Sequence, residues 1–290
     1  MSFLSYLISG LGLGSVYAII ALGYSMVYGI AKMLNFAHGD VIMVGAFVAY
    51  FAIGSFNMPA LIAVLFSVIV CTVLGVVIER LAYKPLRHAS SLSVLITAIG
   101  VSYLLQNAAM LLWGTDTKIF PTLLSGNLQL GALSIPWLTL LTIAICILIM
   151  VFLTLFINRT KTGRAMRACS EDKGASSLMG INVNRIISIT FAIGSGLAAI
   201  AAVLLCATYP SVYPTLGSMP GIKAFTAAVF GGIGSIPGAF LGGLLLGVIE
   251  NLSKAYISAQ LSDAIVFAVL IIVLLIKPTG LLGKKISEKV

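Results

Sequence analysis

The feature that most constrains this chain is a series of long stretches without a single charged residue. Leu4–Ile30, Leu61–Ile78, Leu92–Trp113, Trp137–Ile157 and Ile186–Thr208 each run for 18 positions or more without Asp, Glu, Lys or Arg. A helix needs about 20 mostly apolar residues to cross the hydrocarbon core of a bilayer, so each reads as a membrane-spanning helix. Ile257–Ile276 reads as a sixth, with Asp263 at one end or turned toward protein. Composition agrees: 60% of the 290 residues are hydrophobic and 9% are charged, against about 45–50% and about 25% in soluble domains. Soluble globules, disordered chains, collagen-like repeats and disulfide scaffolds are excluded together.

Two stretches fit a simple span less well. Val41–Phe56 is apolar and ends at Asn57-Met58-Pro59, a turn signal, which leaves a short helix or a re-entrant segment open. Ala224–Ile249 is 26 uncharged residues carrying seven glycines and Pro237. At 1.5 Å per residue it is too short for a two-span hairpin and reads as a broken or re-entrant element. The expected fold is all-α: one membrane domain over residues 1–290, a polytopic helical bundle of about eight membrane segments with one or two broken or re-entrant helices.

Charge gives the orientation. Thirteen of the 17 Lys and Arg fall in the loop after Ile78 (Arg80, Lys84, Arg87), in Asn158–Arg185 (Arg159, Lys161, Arg164, Arg167, Lys173, Arg185) and in the tail (Lys277, Lys284, Lys285, Lys289). Cytoplasmic loops carry this excess, so these segments and the C-terminus are expected inside, while Gly114–Pro136 and Tyr209–Lys223 face outward. The side of the N-terminus depends on whether Val41–Phe56 crosses completely. Met1–Ala31 has no basic residue to form the n-region of a signal peptide, so the first run is expected to stay as a helix. The net charge of +9 belongs to such loops rather than to nucleic-acid binding. The four cysteines, three of them in apolar runs, show neither CxxC nor Cys/His spacing, so no metal site or cofactor is expected.

Three segments stand out for chemistry. In Asn158–Arg185, Ala165, Met166, Ala168 and Cys169 recur near helical spacing, Ser170-Glu171-Asp172 offers a cap with an acidic first turn, and Ala175, Leu178 and Met179 follow at i, i+3, i+4. Two short helices with apolar faces follow, suited to docking a soluble partner rather than forming a solvated loop. Near the N-terminus, Gly10, Gly12, Gly14, Gly23 and Gly29 permit close helix approach, and the run leads into Asn35-Phe36-Ala37-His38-Gly39-Asp40. Ionisable groups there are functional candidates, although a His/Asp pair without a nucleophile fits an interfacial or capping role better than catalysis. In the C-terminal half, Gly231–Gly238 joins two apolar half-segments, and Ser235-Ile236-Pro237 can open the second as a helix. Such breaks occur at transport sites or, alternatively, where glycines pack tightly. No GxxxxGK[ST], GxSxG or HExxH motif exists, so nothing reads as an enzyme. Asp40, Glu79, Glu250 and Asp263 are all placed near segment ends, which disfavours an ion-coupled transporter or channel.

Gly14-Ser15-Val16-Tyr17-Ala18, Ala21-Leu22-Gly23-Tyr24, Val27-Tyr28-Gly29-Ile30 and Leu34-Asn35-Phe36-Ala37-His38-Gly39 resemble the N-terminal signature of the LivH-type permeases of branched-chain amino acid ABC importers. Gly163-Arg164-Ala165-Met166-Arg167-Ala168, with Ala175, Gly180-Ile181 and Val183-Asn184-Arg185, is similar to that family's cytoplasmic segment, and Phe230–Ala239 to a third signature. The resemblance covers essentially the whole chain. It implies a permease subunit in a bacterial inner or plasma membrane, paired with a second related permease, two cytoplasmic ABC ATPases and an extracytoplasmic solute-binding protein. Branched-chain amino acids are the implied substrate, with urea and short amides carried by close relatives.

The resemblance further implies that the segment at about 158–186 couples to the ATPases through Gly163, Arg164, Arg167, Ala168, Asp172, Ala175, Gly180 and Arg185. Asn35, Phe36, His38, Gly39, Gly231, Gly232, Gly234 and Ser235 are the candidates for a translocation path, and the outward loops Gly114–Pro136 and Tyr209–Lys223 for the binding protein.

Overall fold

A computed structural model describes residues 3–283 except His88, Gly131 and Ala132. Eleven α-helices and one small hairpin occur among the described residues. Helix α1 (Phe3–Ala31) is followed by α2 (His38–Gly54), α3 (Ala60–Ile78), α4 (Ser91–Trp113), strands β1 (Asn127–Leu130) and β2 (Leu133–Pro136), and α5 (Trp137–Arg159). Two short helices, α6 (Lys161–Glu171) and α7 (Lys173–Leu178), precede α8 (Val183–Thr208), α9 (Ser218–Gly231), α10 (Ile236–Tyr256) and α11 (Ser262–Ile276). Helices α1, α4, α5, α8 and α10, and α3 with its continuation to Leu86, are long and apolar enough to cross a membrane. Helices α2 and α11 are shorter apolar helices.

Packing sorts these helices into centre and rim. In its most apolar 18-residue stretch α8 is 78% buried, and it contacts α1, α2 and α3. The corresponding stretch of α4 is 17% buried, and large apolar residues such as Ile69, Leu104, Leu111 and Leu148 on α3, α4 and α5 lie exposed. In water such a surface would be an aggregation hazard; in a bilayer it is the lipid-facing or subunit-facing rim.

The chain ends of α1, α3, α5 and α9 and the starts of α8 and α10 share one face with α6 and α7. Lys173 reaches the carbonyl of Ala31, Arg87 bonds Asn184, and Gly234 lies against Gly29. This is the basic face. At the opposite face Tyr6 meets Tyr256 edge-on at 5.7 Å, and the loops after α4 and α8 exchange backbone hydrogen bonds between Lys118 and Val212. Phe47 of α2 stacks on Trp113 at the far end of α4, at 4.5 Å. Helix α2 therefore finishes on the opposite face, although it begins inside the bundle, where His38 packs on Tyr24 about 10 Å from the end of α1. Of the two readings open for Val41–Phe56, the structure adopts a short helix that finishes across the bundle from the basic face, starting at depth. This places the N-terminal end of α1 and the end of α11 on opposite faces.

Three expectations change in detail. Ala224–Ile249 is broken, but its second half runs on to Tyr256 as a full-length helix, because the break at 232–235 leaves α9 and α10 as separate helices. The run Ile257–Ile276 is helical only from Ser262, because the backbone turns at Ile257–Leu261. The hairpin Asn127–Pro136 was not expected; with antiparallel pairing from Asn127↔Pro136 to Leu130↔Leu133 it covers the start of α5.

Helices α1 and α10 run antiparallel through a seam of glycines. A Cβ on Gly14 would lie 2.7 Å from the Leu244 carbonyl oxygen and 2.8 Å from its Cα, closer than a side chain tolerates. Without a hydrophobic driving force between helices in lipid, backbone contact of this kind supplies dispersion energy that larger residues forbid. Gly14→Val is expected to destabilise the fold by about 1–3 kcal/mol through overpacking, whereas Gly100→Ala, which meets nothing within 4 Å, should leave stability unchanged or raised. Thermal unfolding midpoints in nanodiscs measure both, and equal shifts would show that the seam is not a tight contact.

Candidate functional site

The segment between α5 and α8 is a built module. Each helix start has a side-chain cap: Thr160 Oγ1 accepts from Gly163 N (3.0 Å), Asp172 Oδ1 from Ala175 N (2.9 Å) and Asn182 Oδ1 from Arg185 N (3.1 Å). Such caps satisfy amides that the helix leaves unpaired. Residues Ser170-Glu171-Asp172 were expected to cap the second helix with an acidic first turn. The cap is Asp172 itself, and Ser170 and Glu171 belong to the last turn of α6.

The module has an inner and an outer side. Met166 and Cys169 are buried and Gly163 packs on the end of α5, while Arg164 and Arg167 are exposed and Arg167 bonds Asn158. Ala168 is half-buried between them. Ala175, Leu178 and Met179 project outward, with Leu178 91% exposed, and Gly180 turns the chain at φ +81°. The apolar positions of α7 thus form an unpartnered outer surface, not a core.

Two side chains, Lys173 and Arg87, tie the module to the bundle. Lys173 Nζ donates to the carbonyl of Ala31 at 2.6 Å, where the end of α1 leaves carbonyls without helical partners. Burial, with Arg87 and Lys32 nearby, lowers the pKa of Lys173 from its ordinary value. Arg87 bonds Asn184 and pairs with the buried Glu79, and Ser188 donates to the same carboxylate at 2.6 Å. Arg185 sits exposed at the start of α8. Continuing α3, a widened π turn (Glu79–Tyr83) aims Glu79 inward and carries Tyr83, whose hydroxyl donates to Asn35 Oδ1 at 2.8 Å.

The structure sets the two irregular segments against one helix, α1, at different depths. In the first, Phe36 packs on Phe225 (5.5 Å), and His38 lies edge-on to Tyr24 (4.6 Å) with Nε2 lacking a hydrogen-bond partner. Gly39 abuts Gly217, so the N-termini of α2 and α9 converge inside the bundle. Asp40, in the first turn of α2, accepts from Gln106 Nε2 (2.8 Å), which also reaches Ser218 Oγ (3.3 Å). A carboxylate is favoured where two helix N-termini point.

The second segment lies at the basic face. Gly232 and Gly234 adopt φ +107° and +91°, Ser25 Oγ accepts from Gly234 N (2.9 Å), and Ser235 caps α10 through Gly238 N (3.2 Å). The carbonyls of Phe230 and Gly231, freed by the break, accept from Leu281 N and Leu282 N at 2.9 Å each. Gly231 and Gly232 are buried and Gly234 is exposed.

One cluster escaped the sequence reading. Glu250 and Lys223, placed near a segment end and in an outward loop, lie inside α10 and α9 and are buried. Lys223 Nζ is 2.8 Å from Glu250 Oε1 and 2.7 Å from Asp263 Oδ1, Lys254 Nζ is 2.6 Å from Glu250 Oε1, and Tyr17 donates to Glu250 Oε2 at 2.9 Å. The usable signal was that α10 continues helically past Ile249, which buries Glu250. Among the described residues no three His, Cys, Asp or Glu converge as metal ligands.

Residues 6–274 match the family model described as the branched-chain amino acid transport system permease component. The chain is 50% identical to the high-affinity branched-chain amino acid transport system permease protein BraD of Pseudomonas aeruginosa, over 99% of this chain and 98% of that one. It is 46% identical to the permease protein LivH of Escherichia coli K12, with the same coverage. Among solved structures, PsaBC from Streptococcus pneumoniae in complex with Fab superposes with a TM-score of 0.50 at 15% identity, covering 94% of this chain and 92% of that chain, which is a likeness of fold. A multi-pass helical membrane protein with these relatives belongs to the branched-chain amino acid transport permease family.

Proposed function

We propose that this chain is a permease subunit of an ABC importer carrying leucine, isoleucine and valine, with ATP hydrolysis on partner chains. The observation that carries this reading is the exposed, capped α6–α7 module, fused directly to the central helix α8 and crowned by unpartnered Leu178 and Met179. Exposed apolar anchors, together with the exposed Arg164 and Arg167 of α6, fit a groove on a soluble partner. The module, at about 158–186, docks an ATPase through Arg164, Arg167 and the α7 tip. Asp172, Ala175, Gly180 and Arg185 hold its shape and aim. The basic face, with the C-terminus, is cytoplasmic by the excess of Lys and Arg, although of the tail lysines only Lys277 lies within the described residues.

On the opposite face the loops 114–136 and 209–217 receive a solute-binding protein, and a second related permease completes the membrane unit. Transport then follows alternating access, which requires two discrete packings of the bundle. ATP-driven closure of the ATPases moves α6 and α7, and the displacement enters α8 through its capped N-terminus and α1 through Lys173. Residues Asn35–Gly39 and Gly231–Ser235, where backbone is irregular, flank the moving parts of the path.

Purification of the tagged full chain from its native membrane is expected to recover two ATPases and a second permease, with ATP-dependent uptake of labelled leucine after reconstitution with the binding protein. Uptake competed by urea or short amides but not by valine would overturn the substrate assignment, and a chain recovered alone after crosslinking would overturn the subunit assignment. Two variants separate docking from transmission. Like charges brought together across an interface cost several kcal/mol, so the double variant Arg164→Glu, Arg167→Glu should reduce ATPase recovery by more than about 100-fold. Lys173→Met should keep ATPase recovery and lower uptake, with Lys173→Arg partly restoring it; loss of recovery in Lys173→Met would make that lysine part of the docking surface.

A further inference from the structure

On the face opposite the module, a cavity of about 310 Å³ opens between α1, α8, α9 and α10. Its size falls in the range of about 300–1,000 Å³ typical of small-molecule sites. Its lining combines the apolar Leu13, Leu205, Leu216 and Met219 with the charged Lys223, Glu250 and Lys254. Charged groups within a membrane bundle are expensive, and a buried ion pair is seldom worth more to stability than apolar residues of the same shape. A cluster of four beside an open cavity therefore asks for a use beyond holding helices together.

The charges divide by depth. The inner pair, Lys223 and Glu250, has side chains 8% and 1% exposed, whereas the outer two, Lys254 and Asp263, are 37% and 41% exposed. Two cations and two anions leave the cluster neutral overall. A ligand with one net charge would leave that charge uncompensated in a low-dielectric site. A ligand with both charges and no net charge can exchange partners without such a penalty.

We propose that this cavity is a binding station for a zwitterionic aliphatic amino acid, with Glu250 and Lys254 as its charged contacts and the leucine and methionine side chains of the lining as its side-chain subsite. The ligand's ammonium takes the place of Lys254 on Glu250 Oε1. Lys254, on the rim and free to move on its flexible stem, follows to the ligand's carboxylate. Tyr17 and Lys223 hold Glu250 in position throughout. This inference rests on the transport reading above and names residues of the permease itself that recognise the substrate class.

The test is saturation-transfer NMR on the full chain in lipid nanodiscs, without binding protein, using leucine, 4-methylpentanoate, which lacks the ammonium, and leucinol, which lacks the carboxylate. Leucine is expected to receive saturation and the two single-charge analogues to receive little. Charge-assisted hydrogen bonds are the strong ones, so Lys254→Gln and Glu250→Gln should each weaken leucine binding by at least about tenfold. Lys254→Gln, at the exposed rim, keeps the test valid if Glu250→Gln unfolds. Absence of a leucine signal on the unmodified chain, equal signals from the analogues, or a signal unchanged in Lys254→Gln would overturn the assignment. Leucine uptake by the assembled transporter that proceeds despite any of these results leaves the transport reading standing and removes the binding station alone.

Discussion

The backbone contact between α1 and α10 is the interaction on which the rest of the bundle depends. Gly10 and Gly14 of α1 face Gly243 and Gly247 of α10, and the two helices meet at a separation that any side chain would prevent. The pair lines part of the outer cavity, where Tyr17 on α1 reaches Glu250 on α10. Farther along α1, Ser25 and Gly29 receive the start of α10 at the break, and Ala31 receives Lys173. Widening the seam would disturb all of these at once.

A second constraint governs the breaks. Inside a bilayer each backbone amide and carbonyl needs a partner within the protein, so a helix can be interrupted only where something closes the gap. At Gly231–Ser235 the closure comes from the hydroxyl of Ser25 and from the amides of Leu281 and Leu282, which dock against the end of α9. The stretch after α11 is thereby part of the membrane fold rather than a trailing tail. Where α2 and α9 both begin at depth, Asp40 and Gln106 serve the same end, placing negative charge and a hydrogen-bonding amide beside two positive helix ends.

Much of this was legible in the sequence because the bilayer makes long uncharged runs unambiguous. The five runs read as simple spans, the broken Gly-rich element with Ser235 as its cap, and the paired short helices between α5 and α8 follow from length, glycine and capping chemistry alone. Depth was not legible. Lys223, Glu250 and Asp263 are more than a turn apart in sequence and on three different helices, and only the fold brings Lys223 within 3 Å of both carboxylates. Pattern reading treats a charge as the end of an apolar run, so it placed Glu250 at a boundary when a partner on α9 had made burial possible. The β1–β2 hairpin was missed because its four-residue strands offer little alternation to detect.

The two proposed sites lie at opposite ends of one rigid element. Tyr17 stands 14 residues before Ala31, about 21 Å along the helix, so Glu250 at the outer cavity and Lys173 at the module are each hydrogen-bonded to the same helix. Coupling across such a distance needs an element with two discrete positions that both sites bias. Helix α1 qualifies through its contacts: a Cβ on Gly10 or Gly14 would fall within 3 Å of the α10 backbone, whereas Gly23 and Val27 meet Gly194 of α8 with a little more room, at 3.2 and 3.3 Å. The α1–α10 pair would then shift as a body against α8, while the rim groups Lys254 and Asp263, partly open to solvent, change partners. A cluster whose inner pair stays fixed while its outer pair exchanges gives the outer cavity two electrostatically balanced states, and the capped module at the other end of the same helix supplies the bias between them.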